Sequence, residues 1–131
     1  MARSASLPIA VLAAALAIAG AAQAHPHLLS STPADQAAVA PTAQIELHFS
    51  EPLEPKFSGG DLVMTGMMMN GQMMNMPMKI GALAAATDPA DPKTLVLTAK
   101  AALAPGGYRL DWHAVSTDTH RTQGAVSFIV K

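Results

Sequence analysis

The sequence predicts an all-β domain, a sandwich or Greek-key barrel of about seven short strands. Three observations carry that prediction. Short segments alternate polar and apolar residues, the period of a half-buried strand. Clusters of Gly, Pro, Asn and Asp separate them at short spacing. Beyond the apolar N-terminal stretch, no segment keeps a 3.6-residue apolar period long enough for a convincing helix.

Taken in order, Leu28-Leu29-Ser30-Ser31-Thr32-Pro33 reads as a short edge strand running into a turn, with Pro26 confined to its first residues. The polar, Pro-containing stretch from Pro33 to Thr42 reads as a loop. Gln44-Ile45-Glu46-Leu47-His48-Phe49 alternates, sending Ile45, Leu47 and Phe49 to a core and His48 to the other face. Ser50 to Pro55 is a break, and Phe57 to Met64 a further strand in which Gly59-Gly60 predicts a bulge or bend. The methionine-rich stretch that follows contains Asn70-Gly71 and Asn75-Met76-Pro77, which predict a loop or loosely paired hairpin rather than a helix. Lys79 to Ala86 is a weak strand, Asp88 to Pro92 a turn-rich connection, Thr94 to Thr98 a short strand and Ala104 to Gly107 a turn. Tyr108 to Val115 is the best strand, with Tyr108, Leu110, Trp112 and Ala114 on one face. Ser116 to Arg121 is a polar turn, and Gly124 to Val130 closes the domain with Val126, Phe128 and Val130 on one side.

The first 24 of the 131 residues read as a secretory signal peptide. Arg3 is followed by an apolar run from Leu7 to Ala22 and the small-x-small site Ala22-Gln23-Ala24. That run is short for a membrane span. The expectation is therefore an exported domain over 25–131, with no stable membrane insertion once the leader is cut. There is no cysteine, so thiolate ligands, redox dithiols and disulfides are excluded. Without Arg3 seven positive charges face nine negative ones, which argues against nucleic-acid binding by a basic face.

Cleavage after Ala24 would make His25 the N-terminal residue, with a free amine and an imidazole on one residue. Cu(II) favours tetragonal nitrogen and oxygen donors. His25, Asp118 and His120 together would supply three nitrogens and one oxygen, and Asp118 and His120, two apart in an extended segment, would project to the same side. The competing reading of Asp118-Thr119-His120 is a plain solvated turn. A free amine with histidine at position three is itself a copper motif. Its usual chelate needs a deprotonated amide at position two, and Pro26 has no N–H to lose. His27 is accordingly an additional candidate ligand rather than the organising one. His48 and His113 read as surface or hydrogen-bonded histidines, and Trp112 as core, placed to report on copper by fluorescence.

Apart from Met1, every methionine lies between Met64 and Met78, eight in fifteen residues. Thioethers are soft, uncharged ligands that suit Cu(I). Core packing, an adaptable partner surface and sacrificial oxidation compete with that reading. The interspersed Asn70-Gly71-Gln72 and Asn75 argue against a buried run.

With these motifs assembled, the chain resembles the CopC family of periplasmic copper-binding proteins. The resemblance rests on His25-Pro26, Ser30-Ser31-Thr32-Pro33-Ala34, Ile45-Glu46-Leu47-His48-Phe49-Ser50, Leu62-Val63-Met64-Thr65, Asp91-Pro92-Lys93-Thr94, Tyr108 with Asp111-Trp112, and Ala114-Val115-Ser116 with Asp118-Thr119-His120. It implies a Greek-key barrel of cupredoxin-like or immunoglobulin-like type and a Cu(II) site of His25, Asp118 and His120. It also implies a Cu(I) site in a methionine-rich loop at the other end. Met64, Met67, Met73 and Met78 match that loop best, with extra residues inserted after Met67; Met68, Met69, Met74 and Met76 are further candidates. The histidine that such loops contain is Asn75 here, which implies an all-thioether or weakened site. The expected function is a copper carrier or buffer in copper resistance and homeostasis, a non-enzyme that passes copper to a membrane or periplasmic copper-handling protein. The alternative is a copper-dependent oxidase or monooxygenase built on an N-terminal histidine brace. Asp118 argues against it, because an anionic ligand stabilises Cu(II) and takes a position that O₂ chemistry needs open. A β-sandwich module with incidental histidines is the third reading.

Overall fold

The computed structural model describes residues 25–131, so the leader predicted over 1–24 lies outside the described residues. Nine strands form two sheets: β1 (Leu28–Thr32), β2 (Ala38–Val39), β3 (Gln44–Phe49), β4 (Gly59–Met69), β5 (Gln72–Ala82), β6 (Ala84–Asp88), β7 (Asp91–Thr98), β8 (Gly106–Val115) and β9 (Arg121–Val130). One sheet has the order β1-β3-β7-β6 and the other β2-β9-β8-β4-β5. Every pairing is antiparallel except the short parallel match of β2 to β9. The all-β two-sheet prediction stands, with β2 and the split of the weak strand into β5 and β6 raising the strand number.

The period-2 segments sort as their side chains demand. Ile45, Leu47 and Phe49 of β3 and Leu95 and Leu97 of β7 meet Leu62, Tyr108, Leu110, Trp112, Ala114, Val126, Phe128 and Val130 of the facing sheet in one core. Each fully buried aliphatic side chain there contributes about 1.5–3 kcal/mol. Few large aromatics are available, and the four in the core are used in pairs: Tyr108 stacks on Phe128 with centroids 5.6 Å apart, and Phe49 meets Trp112 edge-on at 5.2 Å. The Tyr108 hydroxyl donates to the Ala104 carbonyl at 2.6 Å, so its polar tip is satisfied.

Two local expectations change and a third is resolved. Gly59 and Gly60 pair with His113 and Trp112 without a register break. Gly60 is a glycine for closeness: a Cβ there would stand 2.7 Å from Leu110 Cδ1, whereas one on Gly59 would make an ordinary 3.4 Å contact with the His113 ring. The irregularity comes later, between Met64 and Gly66. Phe57 belongs to a 3-10 turn, Pro55–Phe57, and is exposed. Of the loop and hairpin expected for the methionine stretch, the structure has the hairpin, two eleven-residue strands whose register shifts between Leu62 and Val63 and between Met64 and Gly66. Its turn is Asn70-Gly71, with φ of 51° and 76°, the two positive angles that a two-residue type I′ turn requires. Pro77 is tolerated because β5 is an edge strand.

Candidate metal centre

His25, Asp118 and His120 come from opposite ends of the described chain; one unpredicted hydrogen bond joins those ends, and two more fix the N-terminal segment to Ser50. Pro26 is fully buried. Its carbonyl accepts a hydrogen bond from the Thr122 hydroxyl at 2.8 Å. One residue on, the His27 amide donates to Ser50 Oγ and the Ser50 amide donates to the His27 carbonyl, each at 2.9 Å. His25 is thus held next to the start of β9, and its ring meets the His120 ring edge-on with centroids 5.3 Å apart.

Asp118 and His120 approach each other by a mechanism other than the predicted extended segment. Residues 116–120 form a tight turn, closed by the Thr119 amide on the Ser116 carbonyl and the Ser116 amide on the His120 carbonyl, both 2.9 Å. Thr119 sits at φ 74° within it. Asp118 Oδ1 accepts a short hydrogen bond from the buried Ser116 hydroxyl and lies 3.2 Å from His120 Nδ1. The Ser116 hydroxyl first, and His120 second, hold the Asp118 carboxyl below the usual carboxylate range. Apart from this Asp118 carboxylate, the buried His120 Nδ1 has no other partner among the described residues. A ring nitrogen and a carboxylate set side by side are two donors that one cation can share.

The set is not closed. Among the described residues, no three His, Cys, Asp or Glu side chains converge on one point. The expected fourth donor is the backbone nitrogen of His25, which is an amide in the uncut chain. His27 is exposed and is held through its backbone to Ser50. His48 bonds Thr94 Oγ1 at 2.9 Å on the outer face of its own sheet, as an ordinary hydrogen-bonded histidine. Thr122, Ser116 and Ser50 were not visible as site residues in the sequence: hydroxyl residues are common in strands and turns, and only the register shows what they hold.

The methionines occupy the other end. Val115 at one end of β8 pairs with Arg121 next to the histidine cluster, whereas Gly106 at the other pairs with Met67. Ten residues of strand put about 30 Å between the two clusters, so one ion cannot serve both. Met64 is buried in the core and Met67 is partly buried against it. Met69, Met73, Met74, Met76 and Met78 are 42–48% exposed, far more than core methionines. The register sets Met64 opposite Met78, Met67 opposite Met74 and Met68 opposite Met73. Of the four methionines that match best by resemblance, Met64, Met67 and Met78 therefore share a face, and Met73 lies on the other.

Fold and donors define a class: a small two-sheet β-domain with a nitrogen and carboxylate cluster at one end and a thioether hairpin at the other. The chain belongs to the CopC domain family, whose model matches residues 28–131. It is 47% identical over 123 residues to copper resistance protein C of Pseudomonas syringae pv. tomato, covering 94% of each chain. It is 46% identical over 116 residues to copper resistance protein C of Escherichia coli, covering 88% of this chain and 89% of that one. Its structure is similar to that of PcoC, a methionine-rich copper resistance protein from Escherichia coli, with a TM-score of 0.67 and 46% identity over 82% of this chain and all of that one.

Proposed function

We propose that the protein is a periplasmic copper carrier of copper resistance, which holds Cu(II) at His25, Asp118 and His120 and Cu(I) on the methionine hairpin. Removal of residues 1–24 frees the His25 amine, and the tethered segment 25–27 presents amine and ring to the turn that carries the other two ligands. The observation that supports this most is the tether itself: Thr122 and Ser50 hold the N-terminal segment beside His120, an arrangement that a plain solvated turn has no use for. The family membership and the names of the relatives point to the same metal. Binding and release, rather than turnover, fit a site whose carboxylate stabilises Cu(II), and the recipient is a membrane or periplasmic copper-handling protein.

Trp112 provides the assay. It pairs with Gly124, two residues beyond Thr122 on β9, so a paramagnetic ion at His120 lies near enough to quench its fluorescence. Titration of the exported protein with Cu(II) is expected to quench Trp112 with a one-to-one endpoint that His120→Ala abolishes. Undiminished fluorescence, with no heat of binding by calorimetry, would overturn the Cu(II) assignment. An anaerobic Cu(I) titration that shows no binding would overturn the Cu(I) assignment separately.

A further inference from the structure

The methionine hairpin has two faces, and the register decides which sulfur lies on which. Directly paired residues of an antiparallel ladder project to the same side, and successive residues to opposite sides. Met64 is buried on the core side, so Met78 opposite it lies on that side too. Thr65 and Gly66 form the irregularity, and Gly66 pairs with Gly107, the outward neighbour of core-facing Tyr108. Such a bulge shifts the phase of the strand. It returns Met67 and its partner Met74 to the core side and turns Met68 and its partner Met73 outward.

The outward placement of Met73 has a direct mark. A Cβ on Gly66 would stand 2.9 Å from Met73 Sδ, and one on Gly107 would stand 3.8 Å from Met73 Cε. The thioether therefore lies over two glycines on the outer face, in a groove of about 340 Å³ lined also by Thr65, Asn75, Gln36 and Ser127. Residues directly opposite in a ladder have Cβ atoms about 4.5–5.5 Å apart, so the flexible thioethers of Met68 and Met73 can converge on one soft ion. They cannot join the core-side sulfurs without breaking the ladder between them.

We propose that the hairpin carries two Cu(I) ions, one on each face: Met64, Met67, Met74 and Met78 hold the first, and Met68 and Met73 hold a second at an exchange station on the outer face. This rests on the reading of the hairpin as a Cu(I) site. Two sulfurs bind more weakly than four, and the open groove beside Met73 leaves room for a third donor from the recipient.

The test is an anaerobic Cu(I) titration of the exported protein labelled with methyl-13C methionine, followed by NMR and by competition with a Cu(I) chelator. Two equivalents are expected, the second about tenfold or more weaker because it has fewer thioether donors. The methyl signals of Met64, Met67, Met74 and Met78 move with the first equivalent, and those of Met68 and Met73 with the second. The double variant Met68→Leu, Met73→Leu, which keeps apolar volume, loses the second equivalent and keeps the first. A single equivalent that moves methyl signals of both faces, or loss of the first equivalent in that variant, overturns the two-sided site while leaving Cu(I) binding intact. No shift at any methionine overturns the two-sided site together with the Cu(I) reading beneath it.

Discussion

Thr122→Val removes the tether of the N-terminal segment without touching a predicted ligand. The Thr122 hydroxyl donates to the Pro26 carbonyl at 2.8 Å, and valine keeps the branched shape while deleting the donor. A net hydrogen bond is worth about 0.5–1.5 kcal/mol. If that free energy holds His25 beside His120 before copper arrives, its loss becomes an ordering cost at binding. Cu(II) affinity should then fall about twofold to thirteenfold, since each 1.4 kcal/mol is a factor of about ten. Cu(I) affinity should not change, because the hairpin lies about 30 Å away along β8. Competitive titration of both ions against chelators of known affinity reads the effect, with urea unfolding of the apo protein as the control. A variant that loses about 1 kcal/mol of stability but binds Cu(II) as tightly as the wild type would show that the tether serves folding alone, and would refute the link to the site.

The other predictions concern ligands and core. His25→Ala keeps the amine but loses the ring, and should weaken Cu(II) sharply, seen as loss of Trp112 quenching, with Cu(I) binding retained. The Asp118 carboxyl is held below its ordinary value of 3.8, chiefly by the Ser116 hydroxyl. A lowered folded-state value means that its contribution to stability is present above the unfolded value and is lost as pH falls through the folded one. Urea unfolding of apo Asp118→Asn should therefore show a deficit against wild type near neutrality that closes only as pH drops below about 3.8; a gap that closes between pH 5 and 7 would contradict the assignment. Gly124→Ala places a Cβ 2.6 Å from Trp112 Cζ2. Overpacking of this kind costs about 1–3 kcal/mol, measurable as a lower midpoint of unfolding with altered Trp112 emission.

Strands whose pattern reflects burial were legible in the sequence. Ile45, Leu47 and Phe49, the four inward residues of Tyr108 to Ala114, and Val126, Phe128 and Val130 are all buried as the alternation predicts. Elements that depend on partners rather than on burial were not. Residues 72–80 of β5 are exposed at every position, so no alternation exists to read, and the strand is held by the ladder to β4 and the Asn70-Gly71 turn. Gly60 shows the same limit: a glycine pair signals either a bulge or a close approach, and only the facing Leu110 decides. The candidate ligands were legible as residue types. The polar turn from Ser116 to Arg121 was legible as well, because it is local; the hydroxyl residues that hold the N-terminal segment and the division of methionines between two faces are long-range consequences of register.

The central claim is that cutting before His25 creates a copper ligand. It is tested most directly by comparing two purified proteins, one that begins at His25 and one that keeps Ala24 in front of it. The folded domain is the same in both, and only the amine of His25 differs. Cu(II) titration, read by Trp112 quenching under chelator competition, is predicted to show tight one-to-one binding when the chain begins at His25. Binding should be weaker by about a hundredfold or more when Ala24 is present, as expected for loss of a nitrogen donor from a tetragonal site. Cu(I) binding should be equal in the two. Equal Cu(II) affinity would contradict the account.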